Sequence, residues 1–464
     1  MFTGSHRRVV VQLKGHRKNR LRIALLAATA GIAIASGGHV QASPSGCTPS
    51  NTLNVFPPGL NPWGLTIQQA VNQVQASPSL LCVHVNTGTY SEIVTIQPAF
   101  PPQAHGLYVF GDGMAATIIQ GSINILNMQS VEVSDLAIVN SPGNGIWVKN
   151  GGPFNDLVRV KVTESQVHGI SVDDTSYLTL EDVVSNRNGQ SFNQATHANG
   201  GAGVWLLRAA QINIVGGEFK ENNNQGIAID SSQHIVVDGV VAQANLDTGV
   251  GMSNLSSRCL NADASQIQCL AAGNTTDVLI QNSWLDDNQS AGIGSDGAQR
   301  VTIRDNLSIS RNGAGNVFAG RIGIFMTHTD DFLIENNAIG NNGVNACVGV
   351  GVYWCSNGQI LGTNVIDNGH NYRCLEFGND GVVFDPSLGC QQAHQDPCIP
   401  GAILECGGGV PLRFDIPSQN CENCQACLNN LSKPQASQLP PKLVTSPPGA
   451  CLPNPNAMRW LECQ

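Results

Sequence analysis

A glycine followed by an alternating apolar stretch recurs along most of this chain and constrains its fold more than any other feature. The phrase reads Gly-Ile-Trp-Val at 145–148, Gly-Ile-Ser-Val at 169–172, Gly-Val-Trp-Leu at 203–206 and Gly-Ile-Ala-Ile at 226–229. Further anchor glycines follow at Gly249, Gly292, Gly323 and Gly351, and the shortest spacings are 23 and 24 residues. A second period-two apolar run follows most anchors, and this periodicity is typical of β-strands. A unit this short cannot bury its own apolar face, so the repeats must stack into a β-solenoid.

The repeat resembles the right-handed parallel β-helix of the pectate-lyase superfamily over roughly residues 65–385. The run from Val83 to Ile96, which contains Gly88-Thr89-Tyr90, is similar to the first coil of that superfamily. The resemblance implies an all-β fold, a right-handed parallel β-helix. Asn-rich turns fit such a coil, because stacked Asn side chains can hydrogen-bond along the axis and tolerate left-handed backbone.

A short amphipathic helix is predicted just before the first coil. Thr66 and Gln69 have capping-box spacing, and the apolar stripe that follows consists of Ile67, Ala70, Val71 and Val74. A solenoid exposes its core and an unpaired strand edge at each end. We therefore expect this helix to cap the N-terminal end.

The two ends of the chain differ in composition from the repeat. Residues 1–42 carry seven basic and no acidic residues, then an apolar run and a small-residue site, which predicts a secretory signal peptide. The apolar run is too short to span a bilayer comfortably. We thus expect a secreted protein, extracellular, periplasmic or at the cell surface, with a β-helix at 43–385 and a Cys-rich, disulfide-stapled segment at 386–464.

Charge restricts the possible partners. Removal of residues 1–42 leaves 16 basic against 33 acidic residues, a net charge of −17. Such a protein repels polyanions, so nucleic acid is excluded as an expected partner. An anionic polysaccharide would need a basic patch or bridging calcium. No other cofactor or metal site is predicted, and the protein is expected to be a monomer.

Fifteen cysteines in a secreted chain predict disulfides. Sequence alone does not determine their connectivity, and an odd number leaves at least one cysteine without an intramolecular partner. The short loops suggest Cys259 with Cys269 and Cys347 with Cys355. Cys47 with Cys82 could staple the N-terminal end.

The second residue after each anchor glycine is expected to face outward from the coil. For seven of the eight anchors these residues are Trp147, Ser171, Trp205, Ala228, Gly294, Phe325 and Tyr353. Four of the seven are aromatic, although only 5% of the chain is. Aromatic faces stack on sugar rings, so Trp147, Trp205, Phe325 and Tyr353 are candidate substrate-binding residues. Alternatively, loops cover these rings and they are structural.

Charged residues lie just past these strands, and Asp173, Asp230 and Arg208 are the main candidates. Parallel strands stack about 4.8 Å apart, so Asp173 and Asp230, two coils apart, should lie roughly 9 to 10 Å apart. This separation is near the upper end for the acid and base of an inverting glycosidase. Arg208 is a candidate substrate-binding residue. Asp is also a good turn-former, so a purely structural role is the alternative.

His168 lies in a stretch that resembles a motif of a known family. Val167-His168-Gly169-Ile170-Ser171-Val172 is similar to the Gly-His-Gly-Ile-Ser-Ile motif of polygalacturonases, with Val167 in place of the first glycine. The resemblance implies that His168 assists the catalytic carboxylates. The alternative is a turn histidine that hydrogen-bonds to the next coil.

These observations lead to three hypotheses. The first is a protein that binds, and in a stronger form cleaves, a polysaccharide along the aromatic column, with Asp173 and Asp230 as acid and base. The second is a non-enzymatic scaffold or adhesion protein at the cell surface. The third is a calcium-dependent lyase. A β-solenoid can perform any of these functions, so the fold does not decide between them.

Overall fold

The computed structural model of this protein describes the following residues: 46–59, 64–77, 79–98, 106–191, 200–253, 274–313, 322–340, 342, 348–366 and 379–388, and the backbone of short strands within 259–269, 372–377, 391–392, 403–406, 410–413, 451–453 and 461–463. The predicted signal peptide at 1–42 and most of the predicted Cys-rich segment at 386–464 lie outside the described residues.

The chain forms a right-handed parallel β-helix, as the sequence predicted. One sheet, here called the anchor sheet, has twelve parallel strands, each contributed by a different coil. Its strands are Ile93–Ile96, Ser122–Leu126, Ile146–Lys149, Ile170–Asp173, Val204–Leu207, Ile227–Asp230, Val250–Ser253, Ala291–Asp296, Ile322–Thr327, Val348–Tyr353, Tyr372–Phe377 and Gln391–Gln392.

The rest of each coil contributes to a second sheet of eighteen parallel strands. These strands are Thr52–Val55, Cys82–Val85, Gly88–Tyr90, Leu107–Gly111, Thr117–Gln120, Val131–Val139, Asn155–Thr163, Ser176–Glu181, Val184–Asn186, Ala210–Val215, Glu218–Lys220, Gln233–Asp238, Val241–Gln243, Thr276–Gln281, Gln299–Arg304, Leu333–Glu335, Gln359–Leu361 and Val383–Phe384. Inward side chains of both sheets form one continuous core of Val, Ile and Leu.

Four smaller sheets and one 3-10 turn lie outside these two sheets in the described residues. Ile309–Ser310, Ala338–Gly340 and Asn364–Ile366 form a three-stranded parallel sheet. Cys259–Asp263 pairs with Gln266–Cys269, Ile403–Cys406 with Val410–Arg413, and Cys451–Pro453 with Leu461–Cys463, as antiparallel hairpins. Pro386–Leu388 forms a 3-10 turn.

The anchor glycines are required by the close approach of successive coils. A Cβ added to Gly226 would lie 2.6 Å from the Gly249 carbonyl oxygen and 2.9 Å from Asn245 Nδ2, far inside van der Waals contact. Gly203 and Gly249 show the same geometry with the coils that follow them. Glycine therefore recurs at this position because any larger residue would prevent successive coils from packing this closely.

An asparagine ladder runs along one turn, as the Asn-rich pattern predicted. Its rungs are Asn188, Asn222, Asn245, Asn288, Asn312 and Asn342, and each side-chain amide donates to the next carbonyl oxygen at 2.9 to 3.0 Å. The same oxygens also accept the backbone N–H of the preceding rung, as Asn245 Oδ1 does from Asn222 at 3.1 Å. The ladder thus satisfies buried polar groups across six coils.

The predicted cap is helix α1, Ile67–Ala76. The Thr66 hydroxyl accepts from Gln69 N–H and the Gln69 side chain accepts from Thr66 N–H, which is the predicted capping box. Ile67, Ala70, Val71 and Val74 are fully buried. Glu92 carboxylate oxygens also accept the first helical N–H groups, from residues 67 and 68.

Two cysteine predictions can be checked. Cys47 and Cys82 form a disulfide that fastens the lead-in segment to the first coil, as predicted. The pairing of Cys355 with Cys347 was wrong, because Cys355 is a free, buried thiol that donates to the Tyr353 carbonyl oxygen. Cys259 and Cys269 are in register across their hairpin.

Candidate functional site

Two outward columns of side chains run along the anchor sheet, and strand register defines them. The first column contains Asn124, Trp147, Ser171, Trp205, Ala228, Gly251, Gly294, Phe325 and Gly351. The second, two residues further along each strand, contains Lys149, Asp173, Leu207, Asp230, Ser253, Asp296, Thr327 and Tyr353. The sequence-predicted tryptophans and aspartates thus lie on one face in adjacent columns.

Each tryptophan is bound to the aspartate of the following coil. Trp147 Nε1 donates to Asp173 Oδ2 at 2.6 Å, and Trp205 Nε1 donates to Asp230 Oδ2 at 2.6 Å. A hydroxyl donates to the other oxygen of each carboxylate: Ser171 to Asp173 at 3.0 Å, and Ser253 to Asp230. Both indoles are partly exposed, so the two rings are held in fixed positions with ring surface accessible to solvent.

The two carboxylates differ in burial. Burial raises the pKa of Asp173, and the hydrogen bonds from Trp147 and Ser171 oppose that rise without cancelling it. Asp230 is 2% exposed. Asp230 lies two strands away from Asp173 in the anchor sheet, with Leu207 on the strand between them. The backbones of the two aspartates are therefore roughly 9 to 10 Å apart.

His168 lies against Trp205. Its ring is 4.6 Å from the Trp205 ring at 26°, and Nδ1 accepts the Ala202 N–H at 3.2 Å. Acceptance at Nδ1 places the proton of a neutral imidazole on Nε2. His168 is 3% exposed, and its contacts support one face of the indole and the segment that follows Gly200.

Arg208 does not project freely toward the aromatic column. Its Nε and Nη2 donate to both oxygens of Asp174, at 2.6 and 2.7 Å, in a bidentate pair. The guanidinium holds the pKa of Asp174 below its usual range. Arg208 is therefore committed to the neighbouring coil.

The sequence assignment of Tyr353 to the outward aromatic column was wrong. Gly349, and not Gly351, packs against Gly323 as the next anchor, so Gly351 is in register with Phe325 and Tyr353 with Thr327. Tyr353 is 1% exposed. Its ring centroid lies 5.7 Å from that of the partly exposed Phe325 ring, and the two rings pack at 43°.

Asp296 is a residue of this face that the sequence analysis did not select. It is 4% exposed, and neither carboxylate oxygen accepts a hydrogen bond from any described group. His328 Nδ1 lies 3.6 Å from its Oδ1, beyond hydrogen-bond distance. Its register with Asp230, through Ser253, is the signal that could have identified it.

Two further properties concern only the part of the chain that the structure describes. Within it, no three His, Cys, Asp or Glu side chains are grouped closely enough to hold a metal ion. No helix there has both the length and the apolarity needed to cross a membrane. The Cys47–Cys82 disulfide is typical of an oxidising compartment.

Stacked parallel coils, anchor glycines and the asparagine ladder define this chain as a right-handed β-helix protein. In agreement, a family model described as a right handed beta helix region matches residues 121–307. No curated protein sequence matches the chain.

Three solved structures illustrate what the chain is similar to. The Azotobacter vinelandii mannuronan C-5 epimerase AlgE4 A-module is 17% identical, with 65% of this chain and 90% of that chain covered and a TM-score of 0.45. Pectate lyase Pel9A is 14% identical, with 70% and 80% covered and a TM-score of 0.39. The Streptococcus pneumoniae surface protein and adhesin PfbA is 11% identical, with 68% and 94% covered and a TM-score of 0.37. Identities this low carry no information about the activity of this chain.

Proposed function

We propose that this protein is a secreted polysaccharide-binding β-helix protein and that Trp147 and Trp205 form its binding face. The observation that carries the proposal is the pair of partly exposed indoles, two coils apart, each fixed through its N–H by a carboxylate of the next coil. Rings that are already ordered lose little conformational entropy on binding. Flat aromatic surface of this kind is suited to stacking on sugar rings.

The surroundings of the two rings support a binding role. Lys149 Nζ lies 5.1 Å from the Trp147 ring centroid, and His168 stacks on Trp205, so each indole has a supported side. Phe325 extends the same column four coils beyond Trp205. The overall negative charge of the chain favours an uncharged polysaccharide over a polyanion.

Hydrolysis is the second candidate, and the raised pKa of Asp173 favours it. A carboxyl that keeps its proton to higher pH is suited to protonate a glycosidic oxygen, while Asp230 would activate water on the opposite side. Asp230, however, is buried and already accepts two hydrogen bonds. A buried carboxylate with these partners is poorly placed to activate water, so binding without cleavage is the better-supported function.

Binding is tested with insoluble uncharged polysaccharides, namely cellulose, chitin, xylan, β-1,3-glucan and starch granules. We expect Trp147→Ala and Trp205→Ala each to weaken binding about tenfold, since tenfold corresponds to about 1.4 kcal/mol and burial of a large apolar side chain contributes at least that. Trp284→Ala is the matched control, because Trp284 is 43% exposed and lies outside the anchor sheet.

The outcomes separate the three hypotheses. Unchanged binding in both anchor-sheet variants refutes the proposed face. Release of reducing ends that Asp173→Asn abolishes would establish hydrolysis, whereas binding without any release leaves a non-enzymatic binding or adhesion protein. Absorbance that rises near 235 nm on pectate or alginate and stops with a chelator would identify a calcium-dependent lyase.

A further inference from the structure

A second surface lies on the opposite part of the same coils, on the outer face of the second sheet. A groove of about 380 Å³ is lined there by Phe154, Asp156, Tyr177, Thr179, Gln211, Asn213 and His234. None of these residues belongs to the anchor sheet. We call this surface the shelf.

The first row of the shelf consists of Phe154, Tyr177, Gln211 and His234, one from each of four successive coils. Phe154 is 72% exposed and Tyr177 is 51% exposed, the largest exposed aromatic surfaces among the described residues. The two residues lie on successive coils, which stack about 4.8 Å apart, and both rings are open to solvent.

The backbone at this row gives no reason for aromatic residues to be there. All four residues have left-handed φ angles, 66° at Phe154, 58° at Tyr177, and 56° at Gln211 and His234. Asn and Asp tolerate this conformation best, and later coils have Asp277, Arg300, Asp331 and Asn357 at the same register. Backbone preference therefore does not account for the two aromatic residues in this row.

A second row of polar side chains runs beside the aromatic strip. Asp156, Thr179 and Asn213 are in register on adjacent strands, two residues beyond the first row. Elsewhere on the described coils, charged side chains pair across coils, as Arg159 does with Asp135. Within the same described part of the chain, the side chains of Asp156, Thr179, Gln211 and Asn213 make no hydrogen bond to another protein group, so their donors and acceptors are available.

The end of the shelf is defined by an ion pair. After His234 the next two coils place Asp277 and Arg300 in the same row, joined at 2.6 Å, with His234 Nδ1 3.5 Å from Asp277. The first row therefore spans four coils and the polar row three of them, an area of roughly 14 Å by 7 Å. A stable protein partner buries about 800 Å² on each side, several times that area.

We propose that the shelf is a second, independent binding site for an uncharged polysaccharide chain that lies along the helix axis. Sugar ring faces would pack on Phe154 and Tyr177. Hydroxyl groups at the sugar edges would donate to Asp156 and exchange hydrogen bonds with Thr179, Gln211 and Asn213. Asp156 and the nearby Glu132 make this surface negative, which disfavours polyanions.

The test uses the full chain and a variant that should not lose stability. In the double variant Phe154→Asn, Tyr177→Asn, both replacements tolerate the left-handed backbone, so we expect a melting temperature no lower than that of the wild type. With the best-bound polysaccharide among cellulose, chitin, xylan, β-1,3-glucan and starch granules, we expect affinity at the shelf to fall at least tenfold, so that the binding isotherm loses one class of sites while the anchor-sheet class keeps its affinity. Trp284→Ala is again the aromatic control, and polygalacturonate is the anionic control that should not bind.

Each outcome is decisive. Wild-type affinity in the double variant, or no binding of any uncharged polysaccharide by the wild type, overturns the proposal. A wild-type dimer that the double variant dissociates in light scattering also overturns it, because the shelf would then bind a second copy. Loss in the double variant with unchanged binding in Trp147→Ala supports the shelf and refutes the anchor-sheet face, and the reverse pattern does the opposite.

Discussion

The hydrogen bond between Trp205 and Asp230 should contribute about 1.5 to 3 kcal/mol to folding, and a double-mutant cycle can measure it. The bond is 2.6 Å long, its acceptor is a carboxylate that is 2% exposed, and hydrogen bonds to charged groups lie in this range. Trp205→Phe removes the N–H and keeps an aromatic ring. Asp230→Ala removes the acceptor and leaves the Ser253 hydroxyl without that partner.

Free energies of unfolding of the four proteins are measured by urea titration, followed by far-ultraviolet circular dichroism so that loss of the indole does not alter the signal. The two single changes should sum to more than the double change by about 1.5 to 3 kcal/mol, since both singles lose the same bond. Trp284→Phe combined with Asp230→Ala is the control and should be additive, because Trp284 makes only isolated bridges, to Val241 and Ser308, and lies outside the anchor sheet. A coupling below about 0.5 kcal/mol would show that the carboxylate does not fix the indole.

Four further outcomes follow from the structure. Asn245→Ala removes four buried side-chain hydrogen bonds and should lower the free energy of unfolding by about 3 to 5 kcal/mol in urea titration. Asp296→Ser gives this position a hydroxyl, as in Ser253 and Thr327 on the neighbouring strands. It should raise the melting temperature, because it removes a buried carboxylate that lacks a hydrogen-bond donor. Because the pKa of Asp173 is raised in the folded state, the folded chain binds more protons than the unfolded chain above about pH 4. The stability of the wild type relative to Asp173→Asn should therefore fall as pH rises through the folded-state pKa. Thermal melts from pH 3 to 7 measure this difference. Reduction of the Cys47–Cys82 disulfide, which closes a loop with a sequence separation of 35, should cost about 3 to 4 kcal/mol in the same titration with and without reductant.

The fold could be predicted because its determinants are local and repeated. Period-two apolar runs specify strands, each anchor glycine marks a place where only hydrogen fits, and Thr66 with Gln69 specifies the helix start. Where two glycines compete, the pattern is ambiguous. Gly349-Val350-Gly351-Val352 fits the repeat in two frames, and only contact with Gly323 selects the first. Tyr353 was misplaced for that reason.

The site could be predicted only in part because its chemistry depends on contacts between coils. The outward column placed Trp147 and Trp205 beside Asp173 and Asp230, but nothing in the sequence says that each indole donates to the next aspartate. That bond changes the role of the carboxylates from free groups to supports for the rings. The shelf was missed because left-handed positions at the start of strands have no sequence signature when they hold Phe or Tyr.

The anchor-sheet face and the shelf are built on the same coils, so the number of coils determines the length of both surfaces. The 23-residue coil that begins at Gly203 supplies Trp205 to one face and Gln211 to the other. A duplication of such a unit would keep every ladder contact and lengthen each face by one rung of about 4.8 Å. Evolution could therefore lengthen or shorten both surfaces one coil at a time, without changing the core.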